Sequence, residues 1–211
     1  MDRKLGLIIA LLIVLIGAGV VLAEILVGVK KGDWIEYQVT FTGTPPLGHD
    51  ITWARMEIVD VQGKAIDLGI TTQFSNGTLL NETITLNLET GRLGDDFVIP
   101  ANLNKGDAFL DKYQGNITIS AVEERTYAGA TRTVMSAATA QSTYYWDKAT
   151  GVLVEGISEF PDYTIHSIAD KTNMWQPQIF GLEPMVFYVL LILAATAIVV
   201  VIAFFAVRRK K

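Results

Sequence analysis

Hydrophobic and polar positions alternate with a period of two through much of the chain between residues 33 and 178. In residues 34–42, Ile35, Tyr37, Val39 and Phe41 occupy one face, and polar side chains occupy the other. This alternation predicts a half-buried β-strand, because successive strand residues point to opposite faces of a sheet. Similar strand patterns recur in residues 52–61, 66–74, 80–88, 117–121, 131–137, 143–146, 152–159 and 163–169.

Turn residues separate these segments and indicate how the strands connect. Pro45-Pro46 follows the first strand, Asn76-Gly77 is typical of a hairpin, and residues 147–151 begin with Asp and end with Gly. No segment in this region has a convincing helical period. We therefore expect about ten strands in a mainly β domain, arranged as an antiparallel meander curled into a barrel or half-barrel. A two-sheet β-sandwich is the alternative.

Two segments depart from this pattern because they are long, apolar and uncharged. Residues 5–23 and 184–207 contain no Asp, Glu, Lys or Arg, and each is long enough to cross a bilayer as a helix of about 20 residues. The first segment is either a retained signal anchor or a signal peptide cleaved near Val21-Leu22-Ala23. The predicted divisions are residues 1–28 for this segment, 29–178 for the β-rich domain, 179–207 for the transmembrane helix and 208–211 for a basic tail.

Basic residues predict the orientation of these segments in the membrane. Arg208, Arg209, Lys210 and Lys211 follow the second apolar segment, whereas only Glu183 flanks its other end. The positive-inside rule places such a tail in the cytoplasm. We therefore expect a cell-membrane protein whose main domain is extracytoplasmic.

The composition of the domain narrows the range of partners. Residues 33–178 contain nine basic and 19 acidic residues, a net charge of −10, which does not favour nucleic acid. The chain has no cysteine, so thiol chemistry and Cys-ligated zinc are excluded. The expected partners are the lipid bilayer and, as candidates, other envelope proteins, lipids or glycans.

Candidate sites are few. Asn76, Asn81 and Asn116 begin N-glycosylation sequons and are expected to face solvent. Asp95, Asp96, Asp107 and Asp111 are candidate oxygen ligands for calcium, but their spacing matches no known calcium-binding loop.

His49 and His166 are the only histidines and are far apart in the sequence. Four tryptophans, Trp34, Trp53, Trp146 and Trp175, suit either a core or an aromatic-lined ligand surface. We expect no catalytic residue, no metal and no cofactor.

Three longer stretches resemble a known type of protein: residues 29–37, which contain Lys31-Gly32-Asp33; residues 99–107, which contain Lys105-Gly106-Asp107; and residues 144–153. Together they resemble uncharacterised archaeal cell-surface proteins that have a signal segment, a β-rich exported domain and a C-terminal membrane anchor. The hairpin at residues 147–151 also resembles that of bacterial lipoprotein-carrier domains, whose curved sheets hold acyl chains. This chain lacks the evident helices that plug such sheets.

Two functional hypotheses follow. The first is a membrane-anchored, non-enzymatic envelope protein that presents its β-domain for binding or for structural spacing. The second is a lipid- or glycan-binding domain that uses the concave face of its sheet. A deep apolar cavity would favour the second hypothesis and a filled core the first.

Overall fold

The computed structural model describes residues 25–91 and 97–208, and in these ranges the protein is mainly β. The strands are β1 (Trp34–Gly43), β2 (Ile51–Gln62), β3 (Ala65–Phe74), β4 (Leu79–Asn87), β5 (Ala108–Asp111), β6 (Gly115–Thr118), β7 (Ala121–Tyr127), β8 (Ala130–Ala138), β9 (Ser142–Asp147), β10 (Leu153–Glu159) and β11 (Tyr163–Thr172). One helix, α1 (Pro184–Arg208), follows them.

Nine strands form one antiparallel sheet in the order β4-β3-β2-β1-β11-β10-β9-β8-β7, and β5 pairs only with β6. The expected antiparallel, mainly β fold is confirmed, but the single meander is wrong. Two meanders, β1–β4 and β7–β11, are joined by pairing of the first strand with the last. The closed barrel is also wrong, because β4 and β7 are edges and no described strand joins them.

Pairing of β1 with β11 brings the two ends of the domain together. Ile35 lies opposite Thr172, and Gly43 lies opposite Tyr163. We call the end where β1 begins and β11 ends the base, and the opposite end the tip. A strand of ten residues is about 33 Å long, so base and tip are separated by roughly that distance.

One face of the sheet forms the hydrophobic core. Ile35 of β1 lies opposite Met56 of β2, and Met56 lies opposite Ile70 of β3, so the predicted alternation continues across the strands. The small β5–β6 hairpin covers this face, and the ring of Phe109 meets that of Trp146 edge to face at 5.5 Å. The side chains that are almost fully buried are Trp146, Ile35, Met56, Ile58, Ile66, Leu68, Leu86, Ile99, Ile119, Met135 and Val98.

The two Lys-Gly-Asp sequences form the same local structure. In each, the glycine has a positive φ, 85° for Gly32 and 94° for Gly106, which favours glycine. The Asp side chain accepts a hydrogen bond from the backbone N–H three residues earlier, at 3.0 Å for Asp33 and 2.7 Å for Asp107. Each turn also exchanges two backbone hydrogen bonds with one residue, Ile58 or Ile119. The sequence similarity therefore reflects a shared turn before a strand.

The link between the sheet and α1 is short. Backbone hydrogen bonds in both directions between Ile179 and Leu182 close a tight turn, in which Phe180 and Gly181 have φ angles of 53° and 77°. The helix begins two residues later, at Pro184. Residues 179–183 are thus a turn rather than the start of the helix.

Helix α1 matches the predicted C-terminal apolar helix. The 22 residues Pro184–Phe205 are long and apolar enough to cross a membrane, and none is buried against the domain. A helix of this length spans about 33 Å. Residues 1–24 of the predicted N-terminal segment and residues 209–211 of the basic tail lie outside the described residues. The last residues of the predicted division 1–28 belong to the β-domain, because the Leu26 carbonyl accepts a 2.9 Å hydrogen bond from the Ala101 N–H.

Candidate functional site

The last five strands curl until β7 approaches β10. The hydroxyl of Tyr127 on β7 donates a hydrogen bond of 2.5 Å to the carboxylate of Glu155 on β10, although β8 and β9 lie between them in the sheet. In a flat sheet, strands three positions apart would be about 14 Å from each other. The curl encloses a set of polar side chains, which we call the Glu155 cluster: Arg125, Tyr127, Tyr145, Glu155 and His166.

A β-bulge turns Glu155 into this cluster. Leu153 pairs with Trp146 and Glu155 pairs with Tyr145, and the register shifts between them. Because Trp146 and Tyr145 face opposite sides of β9, Leu153 and Glu155 do too, although they are two residues apart. Leu153 therefore joins the core, and Glu155 faces the interior of the curl.

Glu155 is buried and fully paired. The residue is 8% exposed. One carboxylate oxygen accepts hydrogen bonds from Tyr127 and from Arg125 Nη1, the latter at 3.3 Å. The other oxygen lies 2.8 Å from Nε2 of His166. A buried carboxylate costs several kcal/mol unless it is paired, so these partners offset that cost.

Arg125 and Tyr127 complete the cluster. The guanidinium of Arg125 lies 3.9 Å from the centre of the Tyr145 ring, and its Nε donates a 2.7 Å hydrogen bond to Glu123. Burial raises the pKa of the Tyr127 hydroxyl well above its ordinary value, and the hydrogen bond to Glu155 and its negative charge raise it further. Tyr127 is therefore a permanent hydrogen-bond donor near neutral pH.

His166 is the most accessible member of the Glu155 cluster, with a side chain that is 39% exposed. A histidine oriented by a buried carboxylate is one part of a hydrolytic site, and a nucleophile is also needed. Thr40 is its cross-strand neighbour on β1. However, within residues 25–91 and 97–208 no serine or threonine hydroxyl is hydrogen-bonded to His166. The cluster thus has two parts of such a site and no paired nucleophile in the described residues.

A polar groove lies at the base of the same five strands. It has a volume of about 500 Å³ and is lined by Asn102, Thr131, Arg132, Thr133, Asp147, Lys148 and Ala149. We call it the base groove. Four of its residues come from the start of β8 and the end of β9, and two come from the hairpin that the sequence predicted at residues 147–151.

Asp147 fixes the shape of the base groove. It is fully buried: one of its oxygens accepts hydrogen bonds from the backbone and hydroxyl of Thr150, both at 2.9 Å, and the other accepts from Arg132 Nε at 2.8 Å. Gly151 closes the hairpin with a φ of 74°, and a side chain there would collide with the Ile99 carbonyl oxygen. This glycine is required both by its φ and by the close approach.

The sequence-predicted site residues are dispersed. Asn76 lies in the β3–β4 connection, Asn81 on β4 and Asn116 on β6, and all three are exposed. Asn81 borders a shallow groove of about 340 Å³ on the outer face of β2, β3 and β4. Their glycosylation stays a prediction.

The predicted acidic cluster is only partly visible. Asp95 and Asp96 lie outside the described residues. Asp107 caps its turn, and the buried Asp111 accepts hydrogen bonds from the backbone N–H groups of Tyr113 and Gln114. No group of three or more potential metal ligands occurs in the described part of the chain.

The tryptophan and histidine candidates also lie in different parts of the domain. Trp146 is in the core, and the indole N–H of Trp175 donates a 3.1 Å hydrogen bond to the Tyr127 carbonyl. His49 pairs with the Tyr163 hydroxyl at the tip, 2.7 Å away. The two histidines therefore belong to different sites.

Sequence reasoning missed the Glu155 cluster. One signal was present: Glu155 is the only charged residue in the segment 152–157, Val-Leu-Val-Glu-Gly-Ile, and a charge in an apolar strand needs a partner. The partners Arg125, Tyr127 and His166 are 30, 28 and 11 residues away, and no spacing rule connects them.

Comparisons with known proteins give little to set beside this geometry. No family model matches the sequence, and no curated protein does. Among solved structures, the chain is similar to one described as the siderocalin Ex-FABP, which functions through dual ligand specificities. The two share 10% sequence identity with a TM-score of 0.25, over 66% of this chain and 70% of that one.

Proposed function

We propose that this protein is a membrane-anchored, non-enzymatic component of the cell envelope that presents its β-domain for binding or structural spacing. The observation that carries this proposal is the arrangement of the base. Strands β1 and β11 are neighbours there, and α1 begins twelve residues after β11 ends at Thr172. The domain is therefore tethered at one end, and its tip projects away.

The packing of the domain favours this role over that of a lipid carrier. One depression with a mainly apolar lining has a volume of about 150 Å³ and lies at the tip, near Leu47 and Phe74. Ligand pockets usually have volumes of about 300–1,000 Å³. The concave side of the curl is lined by the polar and charged side chains of the Glu155 cluster, and such a lining suits an acyl chain poorly.

The proposed topology places the β-domain outside the cell and the tail after α1 in the cytoplasm. The exposed apolar surface of α1 supports a membrane setting, because an apolar face of this size is unfavourable in water. The four basic residues at positions 208–211 support the orientation. An N-terminal anchor or signal peptide fits the same topology.

Single-cysteine labelling tests this proposal, because the chain has no native cysteine. We expect Leu47→Cys, at a 97% exposed position near the tip, to react with a membrane-impermeant maleimide on intact cells. Lys211→Cys should react only after permeabilisation.

The matched control is Leu68→Cys, whose side chain is completely buried and should react only after denaturation. Labelling of Lys211→Cys but not Leu47→Cys on intact cells would refute the orientation. Equal labelling of both in the soluble fraction of lysed cells would refute the membrane anchor itself.

The absence of catalysis is part of the proposal and has its own test at His166. A hydrolytic activity that His166→Ala abolishes, while circular dichroism shows an intact β-domain, would contradict it. Thr40→Ala would then identify whether the neighbouring hydroxyl takes part.

A further inference from the structure

The base groove lies close to the start of the apolar helix. Gln178 is held against the β7–β8 connection, because its N–H donates to the Gly129 carbonyl at 2.8 Å and its side chain accepts from the Thr131 N–H at 3.2 Å. Thr131 also lines the groove. Only residues 179–183 separate Gln178 from α1, and the turn at Ile179–Leu182 shortens that link. The groove is thus within about 20 Å of the helix along the chain.

The base groove contains two cationic side chains, Arg132 and Lys148, that have N–H groups available to donate hydrogen bonds to a ligand. Arg132 uses Nε for Asp147, and its guanidinium lies 4.7 Å from the centre of the Trp175 ring. In the described part of the chain, its two terminal nitrogens make no hydrogen bond. The ammonium group of Lys148 donates a 2.7 Å hydrogen bond to the neutral side chain of Asn104, and among residues 25–91 and 97–208 it forms no ion pair with a carboxylate.

Lysine and arginine are distributed unevenly between the two ends of the domain. The tip, residues 40–52, 72–81, 138–143 and 157–166, contains no lysine or arginine but contains Asp50, Glu159 and Asp162. The base carries Lys30, Lys31, Lys64, Arg132, Lys148 and Lys171, together with the carboxylates of Asp33, Asp60, Asp67, Asp147 and Asp170. Cations are therefore available at the base and not at the tip, although several of them, such as Lys30 beside Asp33 and Lys171 beside Asp170, are paired with carboxylates.

We propose that the base groove binds the phosphate of an anionic lipid headgroup in the membrane leaflet that α1 enters. The forked donors of Arg132 and the ammonium group of Lys148 suit phosphate oxygens, and Asn102, Thr131 and Thr133 provide further polar contacts. The acyl chains remain in the bilayer beside α1. This inference rests on the proposed membrane anchoring and adds a ligand class to it.

Lipid retention by the full chain tests this site. The protein is extracted from membranes of phosphatidylcholine mixed with phosphatidylglycerol, and native mass spectrometry counts the lipids that stay bound. We expect preferential retention of phosphatidylglycerol by the unmodified chain. Lys148→Gln should lower the retained fraction about fivefold, the effect of one cation at an anionic membrane surface.

A second variant guards against misfolding. Arg132→Lys keeps a cation for Asp147 but removes the planar fork, and it should also lower retention. The matched control is Lys112→Gln, which removes an exposed lysine near Tyr113, outside the groove, and should retain phosphatidylglycerol like the unmodified chain.

Three results would overturn the inference: equal retention of the two lipids, normal retention by both groove variants, or an equal loss in Lys112→Gln. A further arm adds inorganic phosphate to the protein in pure phosphatidylcholine nanodiscs. Binding of free phosphate that Lys148→Gln abolishes, without selective lipid retention, would assign the groove to a soluble anion instead. Cysteine labelling separates these outcomes from a failure of the anchor, because it reports topology alone.

Discussion

Strands β1–β4 and strands β7–β11 belong to one sheet but bury their side chains differently. In the first half, one face carries the core and the other faces solvent, where Arg55 bridges Glu36 at 2.9 Å and lies over the ring of Trp34. In the second half, both faces are covered. Consecutive residues Val134–Ala137 of β8 and Leu153–Gly156 of β10 are all buried.

The difference shows how one sheet can use two kinds of packing. The first half is a single-layer surface on an apolar core and follows simple alternation. The second half wraps around the Glu155 cluster, so charged groups provide part of its interior. Matched substitutions in the two halves should therefore lower the free energy of unfolding by different amounts.

The largest effect is expected from Trp146→Ala in the core of the second half. This side chain is fully buried and contacts Phe109, so its removal should destabilise the domain by about 3–5 kcal/mol. Urea unfolding of the full chain in detergent, followed by circular dichroism, measures this. Trp53→Ala, at a partly exposed position, is the control, and an equal loss there would contradict the assigned core.

Glu155→Gln should have the next largest effect. The substitution keeps the shape but removes the charge that Arg125 and Tyr127 contact, at an expected cost of about 1.5–3 kcal/mol. Glu57→Gln is the matched change in the first half, where an exposed carboxylate lies 3.7 Å from Arg55 and should contribute less than about 1 kcal/mol. Similar losses for the two variants in urea unfolding would show that the polar interior is not distinctive.

The contrast between the halves also explains what could be predicted from the sequence. Strands β1 and β3 were predictable because one face of each is exposed to solvent and the other is buried. In β1, the apolar residues Ile35, Tyr37 and Val39 therefore recur at every second position. Strand β5 has only four residues and was missed. Strand β10 was located correctly, but the bulge before Glu155 breaks the period and hides which face that residue joins.

The pairing of strands was less predictable than their positions. A meander expectation follows from short turns between neighbours, but the β1–β11 pair joins residues that are far apart in sequence. The Glu155 cluster depends on that arrangement and on the curl, so its members could not be grouped before the fold was known.

Alkaline pH should weaken both halves through buried tyrosines. Burial raises the pKa of Tyr37, whose hydroxyl donates to the Leu153 carbonyl at 2.8 Å, and that of Tyr127. Above about pH 10 the unfolded chain releases these protons while the folded chain keeps them, so stability should fall as pH rises, by up to about 1.4 kcal/mol per pH unit for Tyr37.

Urea unfolding at pH 9 to 11 measures this slope. Tyr37→Phe and Tyr127→Phe should each make it shallower, and Tyr113→Phe, at an exposed side chain, is the control. A slope that neither buried substitution changes would contradict the prediction.

The smallest effect on stability is expected from substitutions at the three sequons. Their positions also distinguish the two halves of the sheet. Asn76 and Asn81 belong to the first half and Asn116 to the β5–β6 hairpin, whereas β7–β11 contain no sequon. In a host that N-glycosylates exported proteins, each Asn→Gln change should remove one glycan, so the variant should migrate faster on a gel. Each change should alter the free energy of unfolding by no more than about 0.5 kcal/mol. Unchanged mobility of all three variants would disprove the modification.

The interior position of β11 determines how the domain bears a mechanical load. A pull on the tip is passed to α1 through β11, along the direction of the strand. Because β1 and β10 flank β11 on its two sides, its extraction requires two ladders of backbone hydrogen bonds to shear together. An edge strand such as β4 could instead be peeled away one bond at a time. The helix is therefore attached where the sheet resists tension best, which would suit the proposed role of a membrane-anchored spacer.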